Sequence, residues 1–461
     1  MKKNEIYTVE ITDITNLGFG VAKANGQVMF VNDAVTKDVA EVKIIKVQKS
    51  YSVARLERLI TKSPLRLEDG EKRCGIDKCQ SCAYKKIAYE NELKIKENNV
   101  RATFSKAGLS SFSVAPIVPS PAPIGYRNKA QYPIQIDRGG NYVLGFFKPK
   151  THTVTEAHDC PLAPDIFSKI LEALCCFFEE RKISVYDEDT GTGLLRHVYL
   201  RRGELSGEIL IVIVINGDTL PYSRELCELL ISDFPEIVGI LTNRNTENTN
   251  VILGDRYSTL CGRDYIYDTL AGVKLKLSAP SFYQVNHGAA ELLYSKAKNL
   301  AELRKSDTLL DLYCGVGSIG LSMAKDVKEL IGIEIVPSAV ECAKENAKEN
   351  GIENAAFYTG DAKDCEKLLD IAEADLNRKI LPDVIILDPP RAGCAEQLLR
   401  FVSSLEARTI VYISCNPSTL ARDVKLLCEM GYDANEVYPF DLFPATGHVE
   451  SVVCLKRRLD N

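Results

Sequence analysis

The chain contains no apolar run approaching the roughly 20 residues that a membrane-crossing helix requires, so no spanning segment is expected. Its opening, Met1-Lys2-Lys3-Asn4-Glu5, has no apolar stretch behind it, and no signal peptide is expected. Internal repeats and low-complexity tracts are absent, which leaves ordinary globular domains. Histidine is scarce at five residues, and only His448, two positions before Glu450, invites a role, one of packing or hydrogen bonding rather than catalysis. Cysteine is not scarce. Fifteen thiols without secretory features indicate a reducing, cytoplasmic setting in which cysteines stay free or bind metal.

At 461 residues the chain is long for one core, so two or three domains are expected. The net charge of −6 hides an asymmetry. Residues 1–150 carry 25 Lys and Arg against 15 Asp and Glu, a net of +10, whereas residues 151–461 carry 32 against 48, a net of −16. The basic part is where RNA contacts are expected to concentrate, although a solvated lysine-rich surface has the same composition.

Residues 1–62 read as five or so short strands separated by turns, Ile6–Ile11, Val21–Ala24, Gln27–Val31, Asp38–Val47 and Tyr51–Ile60, the pattern of a small OB-like β-barrel. Lys43, Lys46, Lys49, Arg55, Arg58 and Lys62 tilt it towards RNA. Pro64 and the polar stretch Glu68–Arg73 mark a boundary, followed by a helix over about 87–106 with Leu93, Ile95, Val100 and Phe104 available for burial. This helix is expected to pack on the C-terminal domain. The central α+β domain, 63–280, includes the helix Asp165–Glu180 and the apolar strand Ile209–Ile215. In the third domain, 281–461, strands and helices alternate: Thr308–Tyr313, Leu330–Ile335, Ala356–Thr359, Asp383–Leu387, Thr409–Ser414 and Ser451–Leu455 read as strands. The fold class is therefore α/β, with a Rossmann-like, doubly wound and mainly parallel C-terminal domain, whose ligands sit beyond the C-terminal strand ends.

Asp311-Leu312-Tyr313-Cys314-Gly315-Val316-Gly317-Ser318 closes the first of these strands with a glycine loop that lets a ligand approach the backbone. Glu334, 23 residues past Asp311, ends the next strand, where a carboxylate accepts hydrogen bonds from both ribose hydroxyls. Asp361, ending a third strand, suits an adenine amine. A dinucleotide oxidoreductase loop is the competing reading. Asp388-Pro389-Pro390-Arg391 ends the fourth strand. A related motif with an aromatic last residue holds the target amine in amino-methylating enzymes, and Arg391 in that place disfavours amino-group chemistry.

Cys415, in Ser414-Cys415-Asn416-Pro417, follows an apolar strand, and Gly447-His448-Val449-Glu450 comes 35 residues on. A soft nucleophile and a carboxylate base are what methylation at C5 of a pyrimidine demands. Thiolate addition to C6 makes C5 nucleophilic, and a base must then remove the C5 proton so that the thiolate can leave. Cys74, Cys79, Cys82 and Cys160 form a candidate ligand set of three closely spaced thiols and one distant one before a proline; a four-iron cluster and zinc both suit four thiolates. Cys175, Cys176, Cys227 and Cys428 read as buried small hydrophobes, and Cys314 as structural.

Taken together, these motifs resemble the bacterial RNA uracil-5-methyltransferase family, in particular its 23S ribosomal RNA members, over essentially the whole chain. Ser414-Cys415-Asn416-Pro417-Ser418-Thr419-Leu420-Ala421-Arg422-Asp423 and Phe443-Pro444-Ala445-Thr446-Gly447-His448-Val449-Glu450 carry the resemblance. It implies an N-terminal TRAM domain, a central domain with a [4Fe-4S] cluster on Cys74, Cys79, Cys82 and Cys160, and a C-terminal domain that uses S-adenosyl-L-methionine. It further implies that Cys415 is the nucleophile, Glu450 the base, and Gln284, Tyr313, Ser318, Glu334, Asp361 and Asp388 the surroundings of the methyl donor. Arg127-Asn128-Lys129 resembles an RNA-facing segment. Two departures stand out: the first cysteine interval is one residue shorter than in the best-known members, and Ser318 replaces a typical Asn. The expected partner is 23S ribosomal RNA, with a flipped or looped-out uridine received by a monomeric enzyme. A transfer RNA T-loop uridine, cytosine-5 methylation and a catalytically silent RNA-binding assembly factor are the alternatives.

Overall fold

The computed structural model describes residues 1–458 except 69, 72, 77, 78, 80, 149 and 150, so two residues of the expected boundary Glu68–Arg73 lie outside the described set. Alternating burial drives the first sheet. Along Val39–Val47, Ala40, Val42 and Ile44 point inward and meet Val9, Ile11, Met29, Val31 and Ala54 in one small core. Its six strands lie in the spatial order Ile6–Glu10, Val39–Val47, Tyr51–Thr61, Gln27–Asn32, Gly20–Ala24 and Asp13–Ile14. The two end strands do not pair with each other, so the N-terminal barrel stays open along one seam.

In the middle of the chain a seven-stranded sheet is built around Ile209–Ile215, all of whose residues are buried. Helices Asp165–Glu180 and Ser223–Asp233 share one core with this sheet through Phe167, Leu171, Leu226 and Leu230. A second core unites Tyr199, Leu210, Val212 and Leu241 with the hairpin Tyr265–Leu270 and Val273–Ser278, and continues into the C-terminal layer.

That layer is a sheet in the order Ala355–Thr359, Glu329–Glu334, Thr308–Leu312, Val384–Leu387, Thr409–Ser414, Glu450–Arg457, Glu436–Phe440 and Ser113–Val114, with Tyr432–Asp433 also paired to Glu450–Arg457. The first five are parallel. Glu450–Arg457 runs antiparallel to both neighbours. Its direction follows from loop length: Phe440 and Glu450 are too close in sequence for a crossover helix, so the two strands fold back on each other. Sequence patterning does not separate out Glu436–Phe440.

Chain from the first third completes the far edge. Ser113 and Val114 pair with Glu436 and Val437, and Val118 bridges Phe440. The helix Tyr89–Lys106 buries Glu92, Lys96, Val100 and Phe104, one side chain per turn. Val100 and Phe104 enter the core that also holds Leu420, Val424 and Leu427.

Candidate active site

Parallel strands deliver their C-terminal ends to one edge of the sheet, and the reversed strand Glu450–Arg457 begins at that same edge. Ser414 therefore stands opposite Ser451, and Cys415 and Glu450 come together just beyond them. Cys415 precedes the helix Pro417–Glu429, whose first turn is capped by Asn416: its side chain accepts from Ser418 N at 3.1 Å. Asn416 Nδ2 and Thr419 Oγ1 donate to the Arg391 carbonyl at 3.0 and 3.3 Å, tying the Cys415 loop to the loop after Asp388. A buried network reinforces this tie: Asp423 accepts from Tyr412 Oη at 2.6 Å and from Cys394 N at 2.9 Å.

The electrostatics are those of a desolvated acidic pocket. Burial pushes the half-buried Cys415 thiol up to about 11, with Glu450 and Asp388 adding to the rise and Arg391 opposing it. Glu450, 4% exposed, is pushed up to about 8 by burial and then by Asp388, again against Arg391. Asp388 rises to about 7 through desolvation. A carboxyl group that titrates near neutrality beside a thiol is suited to moving a proton at physiological pH. His448 Nε2 lies 3.3 Å from Arg391 Nη2, the hydrogen-bonding role expected of it.

The glycine loop forms the adjoining half of the site. Tyr313, Gly315 and Gly317 all have left-handed backbones, and a side chain on Gly315 would point into open space. Glu334 accepts from Gly315 N at 3.1 Å and Val336 N at 2.8 Å, so it braces the loop. Ile335 and Val336 beside it are exposed apolar residues at 56% and 47%. Buried Asp311 accepts from Gly320 N at 2.9 Å through Oδ2 while Oδ1 has no partner, and burial raises it to about 8. Tyr294, which sequence reading missed, bonds Ser318 Oγ at 3.0 Å and hydrogen-bonds the Gln284 side chain. Asp361 follows the strand Ala355–Thr359, where its carboxylate caps Lys363 N at 3.0 Å and pairs with Lys363 Nζ at 2.8 Å. An open backbone cradle, exposed apolar residues and an orphaned buried carboxylate oxygen fit a nucleoside-bearing methyl donor.

Cys74, Cys79, Cys82 and Cys160 converge elsewhere. Burial pushes Cys82 up to about 12, with Cys160, Cys74 and Cys79 all contributing. Cys82 and Cys160 pack with Tyr126, Leu162 and Ala445. The donor types suit a thiolate-bound centre, yet among the described residues no group of three or more His, Cys, Asp or Glu is arranged to hold a metal ion. A separate cavity of about 470 Å³ in the central sheet, lined by Tyr186, Asp187, Glu188, Arg196 and His197, shares no lining residue with the Cys415 cluster.

A doubly wound sheet with a glycine loop and acids on successive strand ends is an arrangement shared by dinucleotide-binding enzymes and S-adenosylmethionine-dependent methyltransferases, and the family match assigns this chain to the second. Residues 88–458 match the tRNA (uracil-5-)-methyltransferase family model and residues 2–56 match the TRAM domain, and the chain belongs to this RNA uracil-5-methyltransferase family. It is 39% identical over 459 residues to an uncharacterized RNA methyltransferase of Bacillus cereus, covering 99% of this chain and 98% of that one. A relative from Clostridium acetobutylicum, likewise an uncharacterized RNA methyltransferase, is 38% identical over 461 residues, again covering 99% and 98%. Among solved structures, the Pyrococcus abyssi tRNA (uracil-54, C5)-methyltransferase in complex with S-adenosyl-L-homocysteine is similar over 98% of this chain and 100% of that one, with a TM-score of 0.76 and 26% identity.

Proposed function

We propose that the protein methylates C5 of a uridine in 23S ribosomal RNA through a transient covalent bond to Cys415. The observation that carries this reading is the strand register, which sets Ser414 opposite Ser451 and so brings Cys415 and Glu450 to one edge of the sheet beside the end of the strand Val384–Leu387 that leads into Asp388. S-adenosylmethionine, when bound, supplies an electrophilic methyl group; Gln284, Tyr313, Ser318, Glu334, Asp361 and Asp388 are assigned to its surroundings. Cys415 first gives its thiol proton to solvent; the thiolate Sγ bonds to C6 of the uracil and the C5–C6 π pair shifts onto C5 as an enolate, the carbon that would accept the methyl group. Glu450 then removes the C5 proton, the C5–C6 double bond re-forms and the thiolate departs. Residues 1–62, with their basic strands, are assigned to RNA capture, 63–280 to the central domain and 281–461 to catalysis.

The choice of 23S RNA rests on the sequence resemblance. The similar Pyrococcus abyssi enzyme is a tRNA (uracil-54, C5)-methyltransferase, and this supports a second reading, a transfer RNA uridine. Mapping 5-methyluridine by mass spectrometry in ribosomal and transfer RNA from a deletion strain separates the two. Cys415→Ala is expected to abolish methylation while RNA binding persists, which separates both from a silent assembly factor. Glu450→Gln is expected to accumulate a covalent RNA adduct on denaturing gels; absence of the adduct removes Glu450 from its role.

We also assign a [4Fe-4S] cluster to Cys74, Cys79, Cys82 and Cys160, on the sequence resemblance and the packing of Cys160 against Cys82. Iron and sulfide analysis of anaerobically purified protein, against zinc, tests this.

A further inference from the structure

The loop 441–449 leads directly into Glu450, and residues from another part of the chain hold its backbone. Glu92 Oε1 accepts from Ala445 N at 2.7 Å. Lys96 Nζ donates to Glu92 Oε1 and Asp441 Oδ1, both at 2.7 Å, and to the Phe443 carbonyl at 3.1 Å. Tyr84 N donates to the Ala445 carbonyl at 2.9 Å, and Tyr126 Oη donates to the Pro444 carbonyl at 3.0 Å. The side chains of Glu92, Lys96 and Asp441 are completely buried, and Arg73 pairs with Glu92, so four formal charges cancel inside the protein.

Such a network is expensive to desolvate, and well-packed apolar residues of similar volume are often as stabilising. Stability alone is therefore a weak reason for it. Ala445 supplies a better one: its φ is +67°, a left-handed conformation that a residue with a Cβ adopts only when its surroundings enforce it. The acceptor that fixes the Ala445 N–H in that conformation is Glu92.

We propose that Glu92 and Lys96 are positioning residues for the methyl-transfer reaction, holding residues 443–445 in a strained turn that sets Glu450 against Cys415. The inference rests on Glu450 acting as the base. Arg73 adjoins Cys74, and Cys82 packs against Ala445, so the cysteine-bearing segment is joined to the same turn.

A pair of substitutions separates positioning from mere charge balance. Glu92→Gln keeps an oxygen that accepts from Ala445 N, whereas Glu92→Met removes it. Single-turnover assays on RNA substrate, scored for adduct formation and for release of methylated RNA, are expected to show release slowed at least about thirtyfold in Glu92→Met, with adduct formation and KM within about threefold of wild type. Glu92→Gln is expected to stay within about fivefold. Adding Ala445→Gly, which adopts positive φ freely, to Glu92→Met is expected to recover about tenfold. Wild-type release in Glu92→Met, equal losses in the Gln and Met variants, or no recovery with glycine overturns the proposal. Should Glu92→Met fail to bind S-adenosylhomocysteine, Tyr126→Phe carries the test: release slowed about threefold or more supports the clamp, and unchanged release overturns it. If wild-type protein itself forms no Cys415 adduct with 5-fluorouridine RNA, the reading of the reaction fails instead.

Discussion

Arg391 Nη2 and His448 Nε2 lie 3.3 Å apart, which fixes the guanidinium between the Cys415 loop and the Glu450 loop. His448 is held below its ordinary value by burial and then by Arg391, Lys96 and Arg127, so its neutral ring accepts the arginine's hydrogen bond. Arg391 is the cation that favours the ionised forms of both Cys415 and Glu450. Arg391→Gln is therefore expected to slow iodoacetamide alkylation of Cys415 at pH 8 by about three- to tenfold in the absence of RNA. Peptide mapping of the alkylated thiol gives the rate, and an unchanged rate removes Arg391 as the tuning group.

Burial of Glu450 makes stability depend on pH in a definite sense. Its folded value of about 8 exceeds the ordinary 4.5, so its contribution is fully present below about pH 4.5 and is lost as pH rises through 8. Glu450→Gln removes that loss. Relative to wild type the variant should gain on the order of a few kcal/mol between pH 5 and pH 9, while Asp388 and Asp311 keep a residual slope in both proteins. Urea denaturation at the two pH values measures it, and a difference that does not change with pH contradicts the desolvated setting.

Gly320 supports the glycine loop after Asp311 by close packing. A Cβ there would lie 2.6 Å from Asp311 Oδ2 and 2.9 Å from Leu330 Cδ1. Gly320→Ala should weaken S-adenosylhomocysteine binding by about tenfold or more, because the Gly320 N–H to Asp311 bond cannot persist. Calorimetric titration gives the affinity directly.

Gly447 records the docking of the N-terminal sheet. A Cβ there would fall 1.8 Å from the Asn16 carbonyl oxygen, and Tyr84 Oη donates to the Thr15 carbonyl at 3.2 Å. Gly447→Ala should lift the turn around Asn16 away from the loop that leads into Glu450. Faster proteolysis near residues 15–19, together with weaker RNA binding, is the expected outcome; an unchanged digestion pattern shows that the contact is dispensable.

Local motifs make much of the site legible in the sequence alone. Cys415 and Glu450 stand out because each sits in a short, distinctive segment, and Glu334 because a strand end and a glycine loop announce it. Features made by distant pairing are invisible there. Tyr294 meets Ser318 across two helices, and nothing in either segment signals the other. On the helix Tyr89–Lys106 the apolar pattern offers Leu93, Ile95, Val100 and Phe104 for burial and singles out neither Glu92 nor Lys96. Val100 and Phe104 are buried and Leu93 and Ile95 pack partly buried against the cores, but Glu92 and Lys96 are buried as well, because Asp441 and Arg73 arrive from elsewhere to neutralise them. The reversed strand is also concealed, since period-two burial carries no direction.

Ser113 and Val114 cap Glu436–Phe440 at the edge of the C-terminal sheet, and Val118 continues along it. Cut out as a fragment beginning near residue 281, that sheet would present Glu436–Phe440 as a bare template for another chain and uncover the apolar residues that Val100 and Phe104 protect. The margin of the C-terminal sheet is thus supplied by residues 89–118, far ahead in the chain of the strands they shield. A shortened chain could give up residues 1–62 and leave that margin whole, but not the stretch from 89 to 118.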